Sequence, residues 1–546
     1  MELGSRKILL INPPSGFLSD ERVFLPLGIA TIASVAEQAG HSATLLDLIS
    51  KENYVQRVLR EIHLNHYDLV GFTATSPQFC YAFEINRAIK KTNPEIKTAI
   101  GGPHASMVST FRKRLIKKFL DQGISGNGLQ EKLYGEDPNF ASLEKFDVIA
   151  EGEEGSLEAS LNFAGKKWVN GGITLDVDSA PMPARNLFDM RNYLFDSERK
   201  PKFAINGKPT GSIISQRGCP FGCEFCCGRD SEMYRTVKYE GKDGKSVWRT
   251  HSPQRILEEL DYMNQEYGLE AFMFYDDEFN LNPARTIDLC EELSKRNYQY
   301  RGFVKSNLVV SHPEVISAMK KAGFIEVLAG IESGSERILG RHLRKGTTPE
   351  INRKAAEVIL ENGLKLKALT MLGHTSETEA DIITTHNWLL DVGKMFNDRL
   401  GQGYFTFDLT LFQPYPGSPI YDKAERNTGA NSLRFPWVYK TKRRTGEEVD
   451  PEFGGIYFER IDFSQHQAFY KGRPGEYQAF VETQNVSPER YVQLRDEIEY
   501  EVRERLGMPQ INNQTAQIQH EHSMGQGNSY AVTRASQTNN PPLQEI

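Results

Sequence analysis

Arg217-Gly218-Cys219-Pro220-Phe221-Gly222-Cys223-Glu224-Phe225-Cys226 sets three thiols in a C-x3-C-x2-C spacing, and the rest of the chain reads as apparatus around it. Three close thiolates suit a soft metal, and iron–sulfur clusters are held by Cys. A closed electron-transfer cluster takes four Cys, whereas three leave one iron open to bind something else. A structural zinc knot wants a fourth Cys or His at a fixed spacing, and no such pair follows. Adjacent Cys227 could offer a thiol, but its side chain cannot easily share a face with that of Cys226. The spacing therefore assigns Cys219, Cys223 and Cys226 as cluster ligands and sets Cys227, Cys80 and Cys290 aside.

The chain has 546 residues, too many for one core, so two or three domains are expected. Lys and Arg total 65 against 72 for Asp and Glu, a net charge of -7, which leaves no electrostatic footprint for nucleic acid. Residues 1–11 lack the apolar core and cleavage site of a signal peptide, and no apolar run is long enough to span a bilayer. No membrane partner is expected. Only six Cys occur, three of them in the motif, so a reducing cytoplasm is expected rather than a disulfide framework.

Upstream of the motif, Lys7-Ile8-Leu9-Leu10-Ile11-Asn12 is an apolar run stopped by Pro13-Pro14, the mark of a buried strand. Strands follow at 44–48, 68–73, 97–100 and 146–150, with helices at 28–38, 55–64 and 81–91 and a longer polar insertion before the last strand. Such alternation predicts an α/β, Rossmann-like, doubly wound parallel sheet whose ligand lies outside the carboxyl ends of the strands. The turns at those ends are 12–16, 73–76, Gly101-Gly102-Pro103-His104 and Glu151-Gly152-Glu153. No G-x-G-x-x-G follows the first strand, which weakens a nicotinamide or flavin reading.

Downstream, six strand-plus-helix units each close in a polar cluster. Strand 212–215 delivers the cysteine loop, and Phe272-Met273-Phe274-Tyr275 closes in Asp276-Asp277-Glu278. Strand 303–307 follows, 325–331 leads to Glu332-Ser333-Gly334, 366–372 to Gly373-His374, and 404–411 to Gln413-Pro414-Tyr415-Pro416-Gly417. This predicts a partial (β/α)6 TIM-type barrel with its chemistry at the carboxyl ends. The expected organisation is an N-terminal domain over 1–165, a linker over 166–202, the barrel over 203–425, an accessory or capping region over 426–510, and a disordered Asn/Gln/Ser-rich tail over 511–546.

The cysteine motif with these strand-end clusters resembles the radical S-adenosylmethionine (SAM) family. The resemblance implies a [4Fe-4S] cluster whose free iron chelates the amino and carboxylate groups of SAM. Reductive cleavage then gives a 5′-deoxyadenosyl radical. It also implies that Asp277 or Glu278 contacts the amino group of SAM, that Glu332 and Ser333 meet the ribose hydroxyls, and that the strand before Gly373 forms an adenine shelf. The family's loop there runs Gly-x-Pro, whereas this chain has Gly373-His374-Thr375.

The first third resembles the cobalamin-binding domain that precedes many radical SAM cores, which places Asn12, Pro13, Thr73, Gly101, Gly102, His104, Gly152 and Glu153 at the corrin. The D-x-H-x-x-G of mutase-type domains is missing, so no His is expected on cobalt. The resemblance implies an oxygen-sensitive methyltransferase acting on an unactivated carbon or phosphinate of a small-molecule or peptide substrate. Methylcobalamin would supply the methyl group, a second SAM would restore it, and a flavodoxin- or ferredoxin-type protein would donate electrons. Two alternatives stand beside this: a cobalamin-dependent cyclase, ring-contracting or oxidative rearrangement enzyme without methyl transfer, and a non-catalytic redox or cobalamin sensor.

Overall fold

The computed structural model describes residues 4–15, 24–162, 164–227, 248–443, 445–466 and 478–510, and the backbone of 517–522 and 525–533. Gly16, expected in the first turn, lies outside them.

The first sheet holds β1 (Lys7–Asn12), β2 (Ser42–Asp47), β3 (Leu69–Thr73), β4 (Thr98–Gly101), β5 (Val148–Glu151) and β6 (Trp168–Asn170). All pairs are parallel, in the order β2-β1-β3-β4-β5-β6. The chain direction across the sheet reverses beside β1, the switch point at which such sheets bind ligands. In β1, Ile8 and Leu10 face one core and Leu9 and Ile11 the other, because successive strand side chains alternate. Helices cover both faces, so the run is apolar without interruption.

Two expectations need correction. The segment after β4, read as a polar insertion, is mostly helical: Gly102–Asp121, Gly126–Glu136 and Asn139–Leu143. Ala105, Val108, Phe111, Leu115 and Phe119 recur at helical spacing and are buried, but a Lys/Arg-rich outer face masks the stripe. The first sheet also runs past residue 165, because β6 pairs with β5.

The second sheet is a curled half-barrel. Its strands are β7 (Ala204–Ile205), β8 (Lys208–Ile213), β11 (Ala271–Phe274), β12 (Gln299–Val304), β13 (Phe324–Glu332), β14 (Lys365–Leu372) and β15 (Phe405–Leu411). Between β8 and β11, β9 (Gln216–Arg217) pairs with β10 (Arg249–Thr250) as a separate ladder. The order β15-β14-β13-β12-β11-β8-β7 puts each parallel strand beside the next in sequence, as helical crossovers require. Helices Pro253–Tyr267, Pro283–Leu293 and Pro349–Glu361 begin alike. Ser252, Asn282 and Thr348 accept the N–H three residues on, and Pro fills the first turn, where a missing N–H costs nothing. Inside the barrel the buried charges are paired, Arg301 with Glu326 and Lys367 with Asp408.

Beyond the barrel, β16 (Glu425–Arg426), β17 (Trp437–Tyr439), β18 (Ile456–Phe458) and β19 (Val481–Thr483) form an antiparallel sheet. Its Trp437, Tyr439, Ile456 and Phe458 join the Leu9/Ile11 core of the first sheet. Helix Pro488–Arg505 packs on β15. Within the stretch expected as a disordered tail, β20 (Gln517–His522) and β21 (Gly525–Thr533) pair antiparallel. Among the described residues no helix is long and apolar enough to cross a membrane.

Candidate functional site

The root of the cysteine loop hangs on Asp276, just past β11. Its buried carboxylate accepts from the Ser215 N–H at 2.6 Å, from the Ser215 hydroxyl, and from the Gln216 N–H at 3.0 Å. Burial still pushes it up to about 6 against those bonds. The β9–β10 ladder then ties the loop to the first sheet. Arg249 grips both oxygens of Glu153 at 2.6 and 2.8 Å, and Arg217 reaches Glu154 at 2.7 Å.

Two buried lysines form the floor. The Lys305 ammonium lies 4.1 Å from the Phe221 ring centre, and that of Lys345 lies 5.7 Å from the Phe225 ring centre. Phe225 also packs on Ile338, Leu339 and Leu343. Lys345 pairs with Glu332 at 2.6 Å, and Lys305 donates to the Lys345 carbonyl at 3.1 Å. Glu332 sits at φ 61°, beside an irregularity in the β13–β14 register. A non-glycine residue held there marks local strain, which concentrates at functional sites.

The electrostatics gather around the thiols. Burial pushes Cys219 up to about 12, with the Phe221 N–H opposing and Glu278, Asp277 and Cys226 adding to the rise. Burial also raises Cys223, which Lys345 and Lys305 pull back down. Glu278 is pushed up to about 7 by burial, against the same two lysines. Burial raises Asp277, and the Gly218 N–H opposes it. Cys219, Cys223, Glu278 and Glu332 therefore lie within electrostatic reach of the lysine pair or of one another at the barrel mouth.

The three motif thiols share one loop, and such soft donors fit an iron–sulfur cluster. Ligation needs thiolates, and cations beside Cys223 favour that form. Among the described residues no group of three or more His, Cys, Asp or Glu stands in single-ion geometry. The fit to a cluster rests on donor chemistry. Cys227 faces elsewhere, its sulfur 3.6 Å from the Pro416 carbonyl.

The remaining SAM-side expectations sit in tighter packing. Ser333 is fully buried, and its hydroxyl lies 3.3 Å from that of Thr385 while accepting the Ser335 N–H. Gly373 has φ 98° and donates to Glu377 at 2.7 Å. Burial pushes Glu377 up to about 8.

On the first sheet, several residues expected at the corrin already have internal partners. Asn12 is buried, donating to Asp47 at 2.8 Å and accepting from Gln78, which also bonds the Pro13 carbonyl. Gly102, at φ 87°, lies against Thr73; a Cβ there would stand 2.6 Å from the Thr73 hydroxyl. Gly101 ends β4. Gly152, at φ 112°, would clash with the Gly172 carbonyl at 2.5 Å. Glu153 is engaged by Arg249 and Arg217. His104 stacks on Phe79 at 4.3 Å with Nδ1 3.0 Å from the Ser76 hydroxyl, and burial lowers it to about 3. Burial thus favours its neutral form.

Lys305, Lys345, Arg217, Arg249 and Asp276 were not singled out from sequence as functional groups. Single charges carry no periodicity; a charge just past a strand end, as at Lys305 and Asp276, is the local signal.

Residues 213–389 match the family model for the radical SAM superfamily, and residues 19–120 match that for the B12 binding domain. The chain is 28% identical over 462 residues to uncharacterized methyltransferase PH0819 of Pyrococcus horikoshii, covering 81% of this chain and 90% of that protein. It is 22% identical over 443 residues to the anaerobic magnesium-protoporphyrin IX monomethyl ester cyclase of Rubrivivax gelatinosus, covering 76% and 70%. The solved radical SAM methyltransferase TsrM from Kitasatospora setae, with cobalamin and [4Fe-4S] cluster bound, shares the fold at a TM-score of 0.51 and 15% identity, over 92% of this chain and 99% of that one. Of the solved cobalamin-dependent radical enzyme OxsB, the chain spans 55%, at a TM-score of 0.49 and 17% identity. A radical SAM domain takes a [4Fe-4S] cluster and SAM, and a B12-binding domain takes cobalamin.

Proposed function

We propose that this chain, a radical SAM enzyme carrying a B12-binding domain, transfers a methyl group to an unactivated carbon or phosphinate of a small-molecule or peptide substrate. One observation carries the reading. The cysteine loop is latched by Arg217 and Arg249 to the carboxyl end of β5, so the loop and the ligand edge of the first sheet are held against each other. Methyltransferase names among the relatives support it.

The bound groups supply the radical and methyl-donor chemistry; the chain supplies placement. Cys219, Cys223 and Cys226 would hold the cluster. Asp277 and Glu278 would accept from the amino group of SAM by charge-assisted bonds. Glu332, oriented through Lys345, would meet the ribose hydroxyls, with Ser333 shaping its turn and Gly373 leaving room at the adenine edge. Asn12, Pro13, Thr73, Gly101, Gly102 and Gly152 would shape the corrin edge through backbone, with His104 and Glu153 behind it. Electrons would come from a flavodoxin- or ferredoxin-type protein.

Replacing Glu332 by Gln should weaken SAM binding by about 1–3 kcal/mol, the cost of losing a charged hydrogen-bond partner. Equilibrium dialysis with labelled SAM measures it, and unchanged affinity removes Glu332 from the site.

A second reading has a specific relative behind it: ring closure without methyl transfer, as the cyclase name suggests. SAM labelled in its methyl group, given to the anaerobically reconstituted enzyme with an extract of the source organism, separates the two. Label in a product supports methyl transfer. Cleavage of SAM with no label transferred favours ring closure, and no cleavage by the reduced protein leaves only a sensor.

A further inference from the structure

Glu224 stands between the second and third cysteines of the motif and is 3% exposed. Its carboxylate is engaged by groups outside the loop. The Tyr439 hydroxyl donates to Oε2 at 2.8 Å, Arg344 lies 3.0 Å from Oε1, and Lys423 lies 3.7 Å from Oε2. Its backbone is held as well. The Glu224 N–H donates to the Leu343 carbonyl at 3.0 Å, and the Ile420 N–H donates to the Glu224 carbonyl at 3.1 Å.

We propose that Glu224 is a positioning residue for the cluster, bolting the Cys223–Cys226 span to the C-terminal region, so that residues 420–439 form part of the cluster's seat. The inference rests on reading this loop as the cluster loop. The loop is otherwise fixed at its root by Asp276 and along its floor by Phe221 and Phe225. Between them, Glu224 is the residue that reaches β17.

Simple packing does not explain a carboxylate here. A buried charge carries a desolvation penalty that an apolar residue of similar size avoids. What the carboxylate adds is direction: a buried tyrosine hydroxyl and an arginine from two other segments set where the adjacent cysteines stand. Burial and the neighbouring Glu224 both raise the Tyr439 phenol, which keeps it a donor across the working pH range. A ligand loop placed before its cluster arrives loses less entropy on binding, and thiol spacing is what a cluster reads.

The test uses the full chain, reconstituted anaerobically with iron and sulfide, and follows loss of visible cluster absorption under an excess of chelator. Glu224→Gln keeps the shape and an acceptor but removes the charge; Tyr439→Phe removes one donor and leaves the loop sequence intact. Each should lose the cluster about tenfold faster or more, the scale of one charge-assisted hydrogen bond. The electron paramagnetic resonance line of the reduced cluster should broaden in both.

Parent-like cluster lifetimes and lines in both variants would overturn the proposal. So would a fall in thermal stability of the cluster-free protein with no change in cluster lifetime, which would mark a purely structural contact. Failure of the parent itself to take a cluster would instead defeat the reading of the loop.

Discussion

Single changes of Cys219, Cys223 or Cys226 to Ala should each abolish the visible cluster absorption and the formation of 5′-deoxyadenosine, while Cys227→Ala keeps both. The effect is all-or-none because a site with one open iron has no spare ligand. The structure sharpens the contrast between neighbours. Cys226 lies within electrostatic reach of Cys219, and its N–H donates to the Cys223 carbonyl at 3.3 Å, closing a turn that keeps the three residues on one loop. Cys227 points its thiol to Pro416, where burial raises it well above its ordinary value, so it resists becoming a thiolate. Iron and sulfide analysis with optical spectroscopy of the four variants decides the matter. Activity retained in Cys226→Ala and lost in Cys227→Ala would reassign the third ligand.

The second large effect is expected at Arg460, which joins the C-terminal sheet to the first domain. Its side chain is 1% exposed, with Nη1 donating to the Glu136 carbonyl at 3.2 Å and carboxylate at 3.1 Å. Nη2 donates to the carbonyls of Tyr421 and Ala424 at 2.8 and 3.3 Å. The guanidinium lies 3.7 Å from the Trp437 ring centre and 4.7 Å from that of Phe111. Asp137 close by is raised by burial and lowered first of all by Arg460. Arg460→Met fills most of the volume but leaves three carbonyls and the Glu136 carboxylate without their donor, and takes the nearby cation from buried Asp137. Breaking one side of such a buried network costs about 3–5 kcal/mol. Local opening of the C-terminal sheet should become correspondingly easier. Hydrogen exchange of the amides in β17 and β18 is the measurement, and protection within about 1 kcal/mol of the parent would show the sheet to be held by its apolar contacts alone.

The same arrangement bears on the role of residues 426–510, which sequence reading left between a pocket cap and a packing appendage. Tyr439 touches the cysteine loop through Glu224, Trp437 joins the core of the first sheet, and Arg460 bonds Glu136 of the first domain. The region is thus in contact with both the cysteine loop and the first domain.

What the sequence by itself determined is what short-range spacing encodes. Apolar runs such as 7–12 and 271–274 specify strands, because a strand buried on both faces has no polar side to show. Pro after Ser252, Asn282 and Thr348 marks three helix starts. Three cysteines within eight residues specify one loop and a soft metal. Tertiary structure alone decided which charges meet. Glu153 and Arg249 are 96 positions apart, and Glu224 and Tyr439 are 215 apart. Their pairing depends on how two sheets and a C-terminal ladder close on one another, and no local propensity records that. For the same reason the chain does not record that His104 stacks on Phe79 or that Glu153 pairs with Arg249. A residue's type states what it can bond, and only the folded neighbourhood states which bond is already made.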